Sequence, residues 1–499
     1  MANAFVMSRN HLIFGVCLPV AVLLGYLRAE PMDAAALSVL VLLGAVLLFP
    51  LLLRYHHLLL ILSWNASITP FFLPGRPALW MLMAVLSLGF ALLGRSVSDK
   101  HGFMNVPALT WSLVCLMVVV LSTALLTGGF GAAVFGSSSY GGKGYFILST
   151  AVMGYFALAG QAIPRQRANL VIAAFFLPGM TAMVSNLAYT AGPKFYFLYE
   201  LFPAEYALDQ AAAEVSLGRG LMRLSGLLLV AQSVYGYLLA RYGILGVFDL
   251  ARPWRLLLFL GALFAGLFGG FRAGLILFGM IFLTLFFVEG LWRTRALWMV
   301  IGLALLVAVL TVSFVDRMPL SVQRTLSFLP VDVDPAIKQS AKDSTEWRLE
   351  MWKLLWPEVP KYLFRGKGYA LDPQALFIAT EASLRGYASS YEWAAYAGDY
   401  HNGLLSVIIP FGLYGGVAFL VFLGIGIRVL HNNFRYGAPH LRAVNSYLLA
   451  MFIARAVYFF LIFGAFYSEL FYFTGALGLS VALNHGERRA ALEFEDSPG

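Results

Sequence analysis

The stretch Gly398-Asp399-Tyr400-His401-Asn402 closes a polar segment, 315–402, and leads directly into an apolar run that starts at Gly403. The contrast at that junction decides how the chain reads. Segment 315–402 is the one long polar stretch, and on either side of it the sequence is a succession of apolar runs. Of 499 residues, 60% are hydrophobic and 12% charged, and the mean hydropathy is +0.79. A soluble domain carries about 25% charged residues. Apolar runs of about 20 residues have the length of a helix that crosses the hydrocarbon core of a bilayer. The fold class expected is an all-α, polytopic membrane protein. Continuous apolar runs, without period-two alternation, argue against a transmembrane β-barrel.

Outward from the junction, about 14 spans are expected, at 11–27, 34–53, 57–73, 78–94, 106–127, 144–161, 168–190, 221–240, 254–271, 273–289, 296–314, 403–428, 443–463 and 468–484. They divide the chain into an N-terminal bundle of about 11 spans (1–314), one large loop with short helices (315–402), a C-terminal group (403–485) and a polar tail (486–499). With the N-terminus inside, the inner connections hold 16 Lys and Arg and the short outer ones 7. By the positive-inside rule both termini are cytoplasmic and the large loop lies outside. The first run lacks a signal-peptide cleavage pattern after it and reads as an uncleaved span. Two further outer segments are expected. Segment 191–220 is acidic and Ala-rich, and 128–144 is a flexible connection ending in Gly141-Gly142-Lys143-Gly144. That ending fails the phosphate-loop spacing, and no strand precedes it.

The net charge of +9 follows from the basic inner connections; no basic patch with interleaved aromatics points to nucleic acid. Cys17 and Cys115, both within expected spans, exclude a disulfide framework. Asp332-Val333-Asp334 has the D-x-D pattern of metal-diphosphate sites, but it stands alone outside, and neither a metal site nor a cofactor is expected.

Eight histidines are present. In this topology His11, His56, His57, His101, His431, His440 and His485 are cytoplasmic, and His401 is the one outside. Imidazole titrates near neutrality and suits general-base work, while capping of the helix beginning near Gly403 is the structural alternative. Arg272 follows Gly269-Gly270-Phe271 at the outer end of a tight hairpin. Arg348 flanks an apolar stripe of Leu349, Trp352 and Trp356, on a helix expected to start near Asp343 and stop at Pro357. Arg223 heads the span after the second outer segment. Arg455 lies mid-span with no carboxylate nearby in sequence and should face the bundle interior. Arginine binds phosphate oxygens bidentately and stays charged. Several arginines and one histidine at one membrane face suit transfer of a group off a lipid diphosphate.

The ordered set Gly270-Phe271-Arg272-Ala273-Gly274, Glu346-Trp347-Arg348, Gly366-Lys367-Gly368-Tyr369, His401-Asn402-Gly403-Leu404-Leu405 and Phe411-Gly412-Leu413-Tyr414-Gly415-Gly416 resembles the O-antigen ligase and polymerase superfamily of bacterial membrane glycosyltransferases. The resemblance covers roughly 219–436. It implies a GT-C-like helical fold in the bacterial inner membrane. It also implies an undecaprenyl-diphosphate-linked glycan donor and metal-independent, inverting transfer to a hydroxyl of a lipid A core or a glycan. By the same resemblance His401 is the general base, Arg272 and Arg348 bind the diphosphate, and Arg223 matches a further family arginine. Arg455 joins them as a diphosphate candidate on its position alone. A polymerase, with a second lipid-linked glycan as acceptor, is the alternative within the class. A lipid-linked glycan or small-anion transporter is the alternative outside it, with Arg455, Asn186 and Gln232 as its polar path.

Overall fold

The structure is a computed structural model and describes residues 34–71, 73, 75–97, 104, 106–131, 140–217, 223–387 and 389–489. The expected span 11–27, Cys17, Arg219 and the tail beyond 489 lie outside these residues. The chain forms two compact units, Met1–Leu59 and Leu60–Gly499, and the site lies in the second.

Helix α1 (Ala34–Trp64) is one 31-residue helix that runs through the expected break between 34–53 and 57–73. Pro50 and Arg54 punctuate the sequence there without ending the helix. Next come α2 (Leu79–Val97), α3 (Pro107–Thr127) and α4 (Gly142–Leu158). The expected span 168–190 is interrupted: α5 (Ala168–Phe176), a 3-10 segment Leu177–Ala182 and α6 (Met183–Ala191) follow one another. Pro178 and Gly179 occupy the interruption, where a proline removes an α-helical donor. Helix α7 (Glu205–Leu217) forms in the second outer segment, before α8 (Ser225–Val247), α9 (Trp254–Leu267), α10 (Arg272–Val288) and α11 (Ala296–Phe314).

The large polar segment is itself helical, with α12 (Leu320–Leu326), α13 (Pro335–Leu355), α14 (Val359–Tyr362), α15 (Pro373–Leu384) and α16 (Ser390–Ala397). Three long helices finish the chain: α17 (Gly403–Tyr436), α18 (Arg442–Leu461) and α19 (Phe466–Asn484). Among the described residues, seven helices are long and apolar enough to cross a membrane and three shorter apolar ones accompany them, fewer than the 14 spans expected. The only β-type pairing among the described residues is an isolated bridge, Tyr140 to Leu371.

Small residues let the spans approach closely, as packing in a membrane requires. Gly154 on α4 and Gly475 on α19 both lie against the Trp64 indole, which stacks on Phe471 at 4.9 Å. Gly478 lies against Leu158. Near the far end, Asn445 and Asn484 exchange side-chain amide bonds of 3.0 and 2.8 Å, and Asn445 also donates to the Asn433 carbonyl at 2.8 Å. These bonds tie α17, α18 and α19 together without leaving buried amides unpaired.

Two apolar clusters hold the polar segment on the bundle. Val315, Val322, Leu326, Val333 and Ile337 pack with Leu267, Phe268 and Leu275 of the α9–α10 hairpin, and the Thr325 hydroxyl donates to the Leu267 carbonyl at 2.7 Å. Met351, Leu355, Ala394, Ala395 and Tyr400 pack with Leu405 and Ile409 of α17. Helix α13 begins eight residues before the expected start. Its cap is Asp334, whose carboxylate accepts from the Ala336 N–H at 2.8 Å, with Pro335 in the first turn. The D-x-D therefore supplies a helix cap. Asp343, the expected cap, is inside the helix and accepts from the Gln339 amide.

Helix α17 is broken at Pro410 and Gly412, the latter at φ 65°. Gly366-Lys367-Gly368-Tyr369, one of the stretches that carry the family resemblance, repairs the break. Lys367 N–H donates to the Ile409 carbonyl at 2.8 Å, Gly368 N–H to the Pro410 carbonyl at 2.9 Å, and Leu413 N–H to the Leu363 carbonyl at 2.6 Å. Non-helical backbone at membrane depth persists where protein satisfies it.

Candidate functional site

His401 stands between two caps. Helix α16 ends at Gly398 in the left-handed region, and Asp399 N–H donates to the Ala394 carbonyl at 3.0 Å. Helix α17 begins after Asn402, whose side-chain oxygen accepts from the Leu405 N–H at 3.0 Å. The capping role weighed for His401 thus belongs to Asn402. Between the caps Tyr400 is buried, and its carbonyl accepts from the Trp352 indole N–H at 3.1 Å. His401 itself has φ 47°, a backbone region that non-glycine residues seldom occupy and that clusters at functional sites.

The imidazole is clasped by aromatic rings, Trp347 at 5.2 Å and Phe463 at 5.1 Å between centroids. Its Nε2 lies 3.3 Å from a carboxylate oxygen of Asp399, and its Nδ1 is buried with no hydrogen-bond partner. Burial pushes the imidazole below its ordinary pKa and the nearby Arg348 adds to this, while Asp399 opposes both. A base held in this way stays neutral, and able to take a proton, at neutral pH.

Beside His401 runs a row of arginines. Arg348, on α13, lies over the Phe463 ring at 5.8 Å, the same ring that flanks His401. Arg272, the first residue of α10, donates to the Ala341 carbonyl of α13 at 3.0 Å and is close enough to feel the charges of Arg348 and Arg324. The α9–α10 hairpin and the polar segment above it therefore touch. Arg324, on α12, is depressed by burial and then by the charge of Arg223. Arg223 precedes α8, lies 3.8 Å over the Phe271 ring and has a buried Nε without a partner. Burial lowers its pKa, and Asp209 compensates in part. Gly270, at φ 71°, lets the hairpin backbone pass against the Arg223 stem. None of these four arginines makes an ion pair with a carboxylate among the described residues.

The sequence reading did not single out Arg324. Its short amphipathic helix looks like an ordinary surface turn until it docks on the hairpin. Arg455 is placed differently from the other candidates. It is buried on α18, pairs with Glu469 of α19 at 3.1 Å and stacks over Tyr472 at 3.5 Å. The carboxylate missing from its sequence neighbourhood is supplied by the next helix. Asn186 is likewise satisfied locally: its amide donates to the Tyr206 carbonyl at 2.8 Å and its oxygen accepts from the Gly226 N–H at 2.9 Å. Two of the three residues that would mark a transport path are thus engaged in holding helices together.

A cavity of about 1230 Å³ lies among α2, α4, α8 and α19. Trp64, Trp80, Phe175 and Phe471 make an aromatic wall, while Asn65, Ser67, Arg76, Lys143, Glu205 and Gln232 add polar groups. Tyr467, on its wall, is near enough to Asp399 to feel its charge. Gly141-Gly142-Lys143-Gly144 borders this cavity and is pinned by the polar segment, not loose as expected. Tyr140 and Leu371 exchange two 2.9 Å backbone bonds, and Gly144 lies against the Tyr369 ring. Among the described residues no cluster of three His, Cys, Asp or Glu side chains is arranged to hold a metal ion.

Comparison with known proteins finds one family. Residues 256–420, about a third of the chain, match the family described as O-Antigen ligase. The matched segment runs from α9 into α17 and contains Arg272, Arg324, Arg348 and His401. No curated protein matches the chain.

Proposed function

We propose that this integral membrane protein, whose residues 256–420 match the O-Antigen ligase family, is a glycosyltransferase of the ligase type. It moves a glycan from undecaprenyl diphosphate to an acceptor hydroxyl on the outer face of the cytoplasmic membrane. The observation that carries this reading is the row of Arg223, Arg324, Arg272 and Arg348 beside His401, all without a carboxylate ion-pair partner among the described residues. Like charges drawn together and partly desolvated are costly unless an anion completes them. A diphosphate is such an anion, and arginine forks match its oxygens.

In this mechanism His401 removes the proton of the acceptor hydroxyl. The oxygen attacks the anomeric carbon, the bond from that carbon to the diphosphate oxygen breaks, and the configuration inverts. The arginines, without a metal, stabilise the charge developing on the leaving diphosphate. Arg455 is left out, since Glu469 already neutralises it. The cavity beside Tyr467 offers the acceptor room, and its aromatic wall suits sugar rings or lipid chains.

Purified protein is given a lipid-diphosphate-linked glycan and candidate acceptors, lipid A core or a second lipid-linked glycan. Transfer to the core is expected, whereas elongation of the lipid-linked glycan would make the protein a polymerase. His401→Ala should lower transfer by roughly 10²- to 10⁴-fold, the contribution of a general base. Full activity in that variant would remove His401 from the reaction.

A further inference from the structure

The geometry points to Asp399 as the positioning residue of the base. Its carboxylate lies 3.3 Å from Nε2 of His401, which favours the proton on that nitrogen and leaves Nδ1 to take the acceptor's proton. This rests on His401 being the base. The two side chains are brought together by a rigid frame. Asp399 is fixed by its N–H bond to the end of α16, Tyr400 by burial and the Trp352 bond, and Asn402 by capping α17. With Tyr400 turned inward and His401 held at φ 47°, the Asp399 carboxylate and the imidazole Nε2 come to 3.3 Å. A flexible surface pair would be worth little; here the backbone on both sides is held before the pair forms.

Nδ1 supports the assignment from the other side. It is buried with no partner in the protein, and a buried polar atom left unpaired calls for a partner the structure does not contain. A carboxylate on one ring nitrogen selects the tautomer that leaves the lone pair on the other. That lone pair then belongs to Nδ1, and the acceptor hydroxyl is the missing partner.

The charged and titratable groups around the imidazole are few. Asp399 comes from its own segment and Arg348 from α13. Trp347 from α13 and Phe463 after α18 are neutral. Tyr467 from α19 faces Asp399, and Tyr458 of α18 lies near Arg348. Asp399 is therefore the one carboxylate acting on the imidazole, against burial and Arg348, both of which disfavour its charged form.

The test compares the full-length wild type with Asp399→Asn, Asp399→Glu and His401→Ala. Transfer is measured against pH, and the rate at which diethyl pyrocarbonate modifies His401 is followed by mass spectrometry across the same range. Removing the negative charge lowers the imidazole pKa. In Asp399→Asn, both the acid limb of the transfer profile and the modification midpoint should move to lower pH by roughly 1 unit, the scale of an adjacent opposite charge. The plateau rate should fall about 10-fold or more, as expected for a weaker and less well oriented base. Asp399→Glu, which keeps the charge, should leave the modification midpoint closer to that of the wild type. An unchanged midpoint in Asp399→Asn, with transfer lost equally at all pH, would overturn the proposal and leave Asp399 as structural. Retained transfer in His401→Ala would instead overturn the assignment of the base, a separate failure.

Discussion

At the scale of single residues, partners separate the arginines into two kinds. Arg455 has one, and its removal strands a buried carboxylate. Arg455→Ala should cost about 3–5 kcal/mol of stability, the penalty of an uncompensated buried charge, seen as a lower thermal midpoint in detergent. The paired change Arg455→Met with Glu469→Leu should recover most of that loss and keep transfer. Loss of transfer in the stable double variant would return Arg455 to the reaction. Arg324 has no carboxylate ion-pair partner among the described residues, and its removal relieves repulsion from Arg223 and Arg272. Arg324→Ala should therefore fold normally and lose transfer by roughly 10- to 100-fold, the worth of a charged hydrogen bond to the diphosphate. In the proposed mechanism His401 sets the pH dependence. Burial and Arg348 hold its pKa below the ordinary 6.5. The base is neutral above that pKa, so transfer should persist at pH 6.5 and fall as pH drops through the depressed value.

At the scale of elements, the break in α17 and the Gly366-Lys367-Gly368-Tyr369 strap make one device. Gly366 and Gly368 have φ of 75° and 70°. A Cβ on the first would meet the Pro410 carbonyl, and one on the second the Thr127 hydroxyl. Gly368→Ala should destabilise the protein by at least about 1 kcal/mol, since the residue is both strained and obstructed, and thermal unfolding in detergent would read this. The motif was legible in the sequence as glycines around a lysine, but as a turn. Its function as a splice depends on Pro410 and Gly412, more than 40 residues away. Helix α13 gives the same lesson. Of its expected stripe, Leu349 and Trp356 are exposed, and the face it buries is Ile337, Ala341, Met351 and Leu355; its start at Asp334 followed from Pro335 and from the docking of Val333 and Ile337 on the hairpin.

At the scale of the whole molecule, the cavity and the arginine row are separate features: the cavity is lined from α1, α2, α4, α8 and α19, and its lining includes none of Arg223, Arg272, Arg324 and Arg348. Arg348 and His401 share the Phe463 ring, and Tyr467 on the cavity wall is near enough to Asp399 to feel its charge. The proposed single displacement would put the attacking oxygen and the leaving diphosphate on opposite faces of the anomeric carbon, and the cavity is the candidate place for the acceptor. Gln232→Trp, which adds bulk to the cavity wall, should raise KM for the acceptor several-fold and leave donor binding unchanged. Steady-state kinetics with each substrate varied in turn would show it, and an effect confined to the donor would place the acceptor elsewhere.

The sequence by itself determined the class of the protein, because apolar runs of bilayer length admit little besides membrane helices. It also picked out His401, Arg272, Arg348 and Arg223, because a histidine at a membrane mouth and arginines at helix ends are costly residues in costly places. Tertiary structure decided which charges remain uncompensated. Glu469 neutralises Arg455 from the next helix, Arg324 enters the row through the docking of α12, and Asp399 reaches His401 through two helix caps and a left-handed backbone turn. Charges interact through space over a few ångströms, so sequence spacing fixes the identity of the groups, and the packing of distant helices fixes their partners.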